Sequence, residues 1–141
     1  MNYKSMLLGL MATVAVFQSQ PAQACTGITL TAKDSTRILA RTIEWGGSDL
    51  VVPRGYTVQS YVPGGQDGMK FTAKYGYVGL AVEQKEFVAE GLNEEGLSAG
   101  LFYFPNYGQY EAYKAEYKSS SIADLQLVSW VLGNCKTVDE V

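Results

Sequence analysis

The sequence predicts an α+β domain in which antiparallel strands come first and helices follow. Three features of the 141-residue chain support this class. Apolar and polar residues alternate at 25 to 32, a strand–turn–strand pattern occupies 90 to 104, and residues 122 to 133 are apolar on most sides. Strands followed by helices are typical of layered α+β domains.

The first two strands are predicted to form a hairpin at residues 25 to 43. "CTGITLTA" alternates, which places Ile28 and Leu30 on one face and Cys25 on the other. "KDST" is a turn, and "RILARTI" returns as the second strand. The hairpin therefore brings Arg41 back beside Cys25.

More strands are predicted along the middle of the chain. "LVVPR", "YTVQSYV" and, after the loop "PGGQDG", "MKFTAKYGYVGLAV" have strand composition. "EGLNEEGLSAGLFYF" is typical of strand, turn and strand, with Asn93 entering the turn and Gly96 taking positive φ. Because Asn and Gly are the usual residues of turns, this turn by itself indicates a structural feature and not a functional site.

Helices are predicted after residue 120. Ser121 is the expected cap, with Asp124 in the capping-box position, and "IADLQLVSWVLG" is the buried helix. "TVDEV" begins a second helix capped by Thr137. Because domains rarely stop one turn into a helix, we expect the chain to be the front part of a longer protein.

The first 24 residues have the pattern of a secretory signal. Lys4 is the positive residue, residues 6 to 17 are an apolar stretch, and Ala22 and Ala24 frame a small-x-small cleavage site. The alternatives are an uncleaved anchor helix and a lipoprotein signal. We expect residues 1–24 to be the signal and 25–141 the exported domain, in the bacterial periplasm or outside the cell, without a membrane partner once the signal is removed.

Composition excludes several functional classes. The net charge is −3, and no basic stripe is visible, which argues against a nucleic-acid partner. The chain has no histidine, so these residues hold neither a Ser-His or Cys-His pair nor a histidine-containing zinc site. We expect no metal and no organic cofactor.

Cys25 would become the first residue after cleavage behind Ala24. Its free α-amine, with an ordinary pKa of about 7.7–8.0, could then accept the proton of its own thiol. The alternative use of Cys25 is a disulfide with Cys135, which exported compartments permit. The sequence leaves both open, and a buried inert thiol is the commonest role for Cys135.

Four stretches carry a family resemblance. "CTGITL", "RTIEW", "EGLNEEGLSAGLFYFP" and "WVLGNCKTVDEV" resemble the choloylglycine hydrolase family of N-terminal nucleophile hydrolases, which includes bile salt hydrolases and penicillin V acylases. The resemblance runs from Cys25 to the end of the chain. It implies the N-terminal part of an αββα sandwich of antiparallel sheets with flanking helices, whose N-terminal cysteine cleaves linear amides.

The resemblance also assigns roles to four residues. Cys25 would be the nucleophile and, through its amine, the general base, while Arg41 would favour the thiolate and help to hold the substrate. Glu44 stands where the family usually has aspartate, hydrogen-bonding the α-amine. The backbone N–H of Tyr103 would help to form the oxyanion hole. The aromatic composition of the segment that begins at Phe102, and not the resemblance, makes Phe102 and Tyr103 the expected members of the substrate pocket.

The aromatic segment 102–117 has two interpretations. It could form the apolar wall and lid of a substrate pocket. Alternatively, Tyr110, Tyr113 and Tyr117 have the spacing of one helical face, which is typical of core packing. The residues alone favour packing for this part of the segment.

The expected substrate is a small-molecule amide. Conjugated bile salts and phenoxyacetyl amides of the penicillin V type rank nearly level, and Tyr103 favours the second class because penicillin V acylases commonly have tyrosine there. Later active-site residues of the family lie outside the chain, so these 141 residues alone are expected to be inactive. The alternatives are a secreted, non-catalytic binding module with a Cys25–Cys135 disulfide, and an inactive truncated family member. A homo-oligomer of the full-length protein is left open.

Overall fold

The structure, a computed structural model, describes residues 25–43, 46–65, 67–84, 87–102 and 107–141. This part of the chain holds eight strands, one α-helix and three 3₁₀ helices, which confirms the α+β class. The strands are β1 (Gly27–Thr31), β2 (Arg37–Arg41), β3 (Gly47–Val52), β4 (Thr57–Gln59), β5 (Lys70–Thr72), β6 (Tyr77–Val82), β7 (Val88–Asn93) and β8 (Ser98–Gly100). The helix α1 spans Leu127–Asn134, and the 3₁₀ helices span Ala115–Ser120, Asp124–Gln126 and Val138–Glu140.

The largest sheet is antiparallel, with the strand order β3-β6-β7-β8. Alternation along its strands sends one set of side chains toward α1, where they form a core of buried residues, and the other set to the opposite face. The core residues are Leu50, Val52, Ala73, Tyr77, Ala81, Val88, Val128 and Leu132. On the opposite face, Val51, Val78 and Leu92 are about half exposed or more. We call this opposite side the outer face of the sheet.

Strands β1 and β2 form the predicted hairpin, with Gly27 opposite Arg41. The predicted alternation holds, since Ile28 and Leu30 share the face that does not carry Gly27. In its turn, Asp34 Oδ1 accepts a hydrogen bond from the Thr36 N–H at 3.0 Å. This bond favours the ionised form and lowers the pKa of Asp34.

A buried polar network joins strand β4 to the segment before α1. Ser60 and Gln126 are fully buried. Ser60 Oγ donates to Gln126 Oε1 at 2.6 Å, and the same oxygen accepts the Tyr61 N–H at 3.0 Å. Because buried polar groups are costly when unpaired, this network fixes where the chain enters α1.

The predicted helix caps are wrong. The α-helix begins at Leu127, after a 3₁₀ turn preceded by Ala123, and Ser121 Oγ instead donates to the Tyr117 carbonyl at 2.8 Å. The Ala123 N–H donates to Ser60 Oγ at 3.1 Å, so the residue that follows β4 takes the place of the local cap.

The second predicted helix is a single 3₁₀ turn, Val138–Glu140, and Thr137 makes no side-chain cap there. Glu140 Oε2 accepts the Lys136 N–H at 2.6 Å, so a carboxylate from within the turn satisfies a donor that precedes it.

The helical packing predicted for the aromatic segment is also wrong. Residues 108–114 have no regular secondary structure, and the helix that follows is a 3₁₀ helix from Ala115. Tyr110 is 70% exposed and Tyr117 is 54% exposed. Without an α-helix, the spacing of these tyrosines creates no common buried face.

Candidate active site

Cys25 lies immediately before β1 and is half-buried. The pairing of the two hairpin strands continues toward it. The Thr42 N–H donates to the Thr26 carbonyl at 2.9 Å, and the Thr26 N–H donates to Thr42 Oγ1 at 3.1 Å. These bonds hold the chain up to the residue next to Cys25. By the alternation of a strand, Cys25 and Gly27 belong to the hairpin face that also carries Arg41.

Arg41 connects the hairpin to the main sheet. Its side chain is only 5% exposed. Nη1 donates to the Ala89 carbonyl at 3.2 Å and to the Leu101 carbonyl at 2.7 Å, and Nε lies 3.4 Å from Glu90 Oε2. These acceptors belong to β7 and to the residue after β8. Arg41 therefore clamps the strand pair next to Cys25 onto the edge of the sheet. Its role toward substrate stays a prediction.

Phe102 packs against both strands of the hairpin, next to Gly27 of β1 and Arg41 of β2. The guanidinium carbon of Arg41 lies 4.4 Å from the centre of the Phe102 ring, a cation–π distance. A Cβ added to Gly27 would stand 2.5 Å from Phe102 Cζ, closer than real contacts allow. Glycine is therefore required at position 27 for Phe102 to lie against the strand that follows Cys25.

The structure brings three predicted site residues to one place, the end of the hairpin. Cys25, Arg41 and Phe102 all lie there. Glu44 and Tyr103, the other two, fall outside the described residues. Their predicted contacts with the α-amine and the oxyanion stay predictions.

A cleft of about 880 Å³ separates the hairpin from the outer face of the main sheet. Apolar side chains such as Leu39, Leu80 and Leu92 line it. Its charged lining residues are Arg37, Asp49 and Glu90. Cys25 is not among the residues that line this cleft, so the cleft borders the candidate site without containing the thiol.

The aromatic segment lines a different cleft. Tyr110, Tyr113 and Tyr117 surround a space of about 560 Å³ together with Tyr61 and Leu127. This second cleft shares no lining residue with the first. The described tyrosines therefore form a wall, as one interpretation proposed, but it does not adjoin the Arg41–Phe102 contact.

The two cysteines are not bonded to each other. Both thiols are free, and Cys135 is buried, with Sγ 3.6 Å from the Glu140 carbonyl oxygen. Burial raises the pKa of the Cys135 thiol, and nearby Glu140 raises it further. The bridge assumed for the binding-module alternative is therefore absent.

The two thiols are expected to react at very different rates. In the chain that starts at Cys25, iodoacetamide should modify Cys25 first, because Cys135 is buried and held in its neutral form. Since the pKa of Cys135 is raised, folding favours its neutral thiol, and this contribution to stability is lost only as the pH rises past the ordinary thiol value. Peptide mass spectrometry before and after unfolding measures both sites.

Cys135→Ala is the matched control for this labelling experiment. It should remove the slow, unfolding-dependent modification and leave the fast one unchanged. Finding no free thiol under non-reducing conditions would restore the disulfide alternative.

Among the described residues, no group of three or more His, Cys, Asp or Glu side chains is placed to hold a metal ion. Nor does the described part contain a helix long and apolar enough to cross a membrane.

Glu90 is a site residue that the sequence reasoning missed. It stands in the apolar stretch "FVAEGL" of β7 and contacts Arg41. A carboxylate inside an otherwise apolar strand signals a paired, partly buried charge. The sequence contains that signal, but it does not show that Arg41, 49 positions earlier, is the partner of Glu90.

Comparison with known proteins identifies the family. The sequence profile of linear amide C–N hydrolases of the choloylglycine hydrolase family matches residues 25–141. The chain belongs to the choloylglycine hydrolase family. This confirms the resemblance derived from the motifs and the class of linear amide C–N hydrolases.

Two curated relatives of the chain are named bile salt hydrolase/transferase. The protein from Clostridium perfringens is 28% identical over 123 residues, which cover 83% of this chain and 36% of the relative. The protein from Bifidobacterium longum subsp. longum is 29% identical over 121 residues, which cover 83% of this chain and 37% of the relative. The chain thus spans little more than a third of the length of these relatives.

Proposed function

We propose that the full-length protein is an exported amide hydrolase in which Cys25, exposed by cleavage after Ala24, is the N-terminal nucleophile. The observation that carries this proposal is that the family match begins at Cys25. Its free thiol and its position before an anchored strand also support the role. A terminal residue that is tied into a hairpin can keep its amine and thiol in a fixed geometry.

The proposed reaction has two acyl-transfer steps. The α-amine takes the thiol proton, the Cys25 sulfur attacks the amide carbonyl, and a C–S bond forms. The C–N bond then breaks as the α-ammonium gives its proton to the leaving amine. Water, activated by the same amine, attacks the thioester, the C–S bond breaks, and the carboxylic acid and the thiol are released.

The oxyanion of both steps needs hydrogen-bond donors. The Tyr103 N–H is the proposed donor from this chain, and a second donor is assigned to the later part of the full-length protein. Phe102, the residue before Tyr103, packs against Gly27, and Arg41 holds the Leu101 carbonyl at 2.7 Å. These contacts support the proposal because they fix the chain that leads to the donor relative to the strand after Cys25.

The proposed substrates are conjugated bile salts, because the two relatives described above are bile salt hydrolases/transferases. Tyr103 favours a second candidate, phenoxyacetyl amides of the penicillin V type.

The substrate proposal is tested by product release from the full-length processed protein. Release of glycine or taurine from conjugated bile salts is compared with release of 6-aminopenicillanic acid from penicillin V. We expect the first to be faster, and Tyr103→Asn to increase the preference for bile salts further, because bile salt hydrolases commonly have asparagine there. Intact mass must show Cys25 as the first residue. A processed protein with neither activity would overturn the proposed function.

A further inference from the structure

Glu90 is placed between the main sheet and Arg41 in an unusual way. It belongs to β7, where it lies opposite Gly100 of β8. Its side chain is 21% exposed, and Oε2 is buried with no hydrogen bond among the described residues. Among the described residues, the positive group paired with that oxygen is Arg41 Nε, at 3.4 Å. A carboxylate in such a position is retained at a cost in solvation, which its partner's charge offsets.

Arg41 has two kinds of contact: hydrogen bonds that hold its side chain in place, and an ion pair that balances its charge. The carbonyls of Ala89, Leu101 and Thr42 accept its hydrogen bonds at 2.7 to 3.3 Å and fix the plane of the guanidinium. These acceptors are neutral. Glu90 makes no hydrogen bond to Arg41, so what it adds is a negative charge beside a guanidinium that is only 5% exposed.

The net charge around Arg41 acts on the Cys25 thiol because the hairpin places the two residues on the same face, close together. Cys25 stands two residues before Gly27, which pairs with Arg41, and diagonal neighbours on one face are about 7–8 Å apart. Among the described residues, the other charged groups facing this region are Arg37 of β2 and Asp49 of β3, which line the adjoining cleft with Glu90. Strands β6 and β8 contribute only uncharged residues to it. In the processed protein, the α-amine of Cys25 itself is a further titratable group next to the thiol.

We propose that Glu90 is a positioning residue that acts on Cys25 through Arg41: its carboxylate offsets the guanidinium charge and so limits how strongly Arg41 favours the thiolate. The inference rests on the proposed function only in taking Cys25 as the reactive thiol. It gives a role to Glu90, the first residue of the quoted stretch "EGLNEEGLSAGLFYFP", to which the resemblance assigns none. Without Glu90, the guanidinium would act on the thiol uncompensated.

The test measures thiolate formation instead of turnover. Full-length protein with Cys25 as its first residue and a Cys135→Ala background is alkylated with iodoacetamide from pH 5 to 9, and the rate at Cys25 is followed by mass spectrometry. In Glu90→Gln, the half-maximal rate should move to lower pH by about half a unit, so that alkylation at a pH below both midpoints is about threefold faster. Glu90→Asp, which keeps the charge, should restore most of the original profile.

Glu94→Gln is the matched control. Glu94 belongs to the turn that follows β7, and it pairs with Arg54 on the surface instead of with Arg41. Its replacement removes one carboxylate of the same type and should leave the profile unchanged. Circular dichroism and melting temperature show that each variant is folded.

Arg41→Gln supplies the second measurement and stands in if Glu90→Gln does not fold. It should move the profile to higher pH, and adding Glu90→Gln to it should have little further effect, since the carboxylate acts through Arg41. An unchanged profile in folded Glu90→Gln, an equal shift in Glu94→Gln, or an unchanged profile in Arg41→Gln would overturn the proposal. A protein without hydrolase activity would still show these shifts in alkylation rate. Failure of the Glu90 proposal is therefore distinguishable from failure of the proposed function.

Discussion

Replacing Cys25 with serine is expected to lower amide hydrolysis by the full-length protein by about a thousandfold or more while leaving the protein folded. A serine hydroxyl carries almost no anion at neutral pH, whereas a thiol carries a few per cent. Stability should change little because Cys25 is only half-buried. The measurement is kcat/KM on the preferred substrate, together with the melting temperature.

Two controls make this result specific to Cys25. Intact mass must show that the variant is cut after Ala24, because an uncut variant would be inactive for another reason. Cys135→Ala, which removes the buried thiol, should keep most of the activity. Activity in Cys25→Ser close to that of the unmodified protein would remove Cys25 from the role of nucleophile.

Replacing Asn93 with alanine is expected to lower the free energy of unfolding by about 3 kcal/mol or more, since it leaves several buried groups unpaired. Asn93 is 3% exposed. Its Nδ2 donates to the carbonyls of Leu132 and Cys135 at 3.0 and 2.8 Å, and its Oδ1 accepts the N–H groups of Glu95 and Leu97 at 3.1 and 2.9 Å. One side chain thus joins the β7–β8 turn to the end of α1. Denaturant unfolding measures the loss.

Asn134→Ala is the matched control for Asn93→Ala. Among the described residues, Asn134 makes a single side-chain hydrogen bond, to the Trp130 carbonyl at 3.1 Å, in a partly buried position. Its loss should cost about 1 kcal/mol. Equal losses from the two replacements would show that the Asn93 network does not stabilise the connection between the turn and α1.

The hairpins were predictable because their signals are local. Alternation fixed the two faces of β1, and the structure has the same faces. The turn of "GLNEEGLS" was also predictable, since Gly96 has a φ of 87° and Asn93 Oδ1 accepts N–H groups two and four residues later. What the sequence did not show is that the Asn93 amide reaches across to α1.

The helix starts were not predictable for the corresponding reason. Ser121 and Asp124 satisfy the local capping pattern, yet the donor at Ala123 is paired with Ser60, 63 positions away. The distant Ser60 hydroxyl is buried, and leaving that hydroxyl unpaired would cost free energy. It therefore takes the Ala123 N–H in preference to the local Ser121 hydroxyl. The spacing of Tyr110, Tyr113 and Tyr117 failed similarly, since helical spacing has meaning only where a helix forms.

Some residues of the candidate site could also be placed from the sequence, whereas others were found only in the structure. Cys25 and Arg41 could be placed together from the sequence, because a hairpin of known turn aligns its two ends. Phe102 was named from the aromatic segment, but its contact with Gly27 and its cation–π contact with Arg41 came from the structure. Glu90 entered only through its distance to Arg41.

By itself, the sequence determined the family, the strand alternation and the identity of the candidate nucleophile, because each depends on residue type and near-neighbour spacing. Only the tertiary structure decided which charge lies beside Arg41, which hydroxyl receives the Ala123 N–H, and that Cys25 and Cys135 stay unbonded. Those outcomes depend on which distant groups become buried together, and burial makes each polar group or charge require a partner that one-dimensional spacing does not specify.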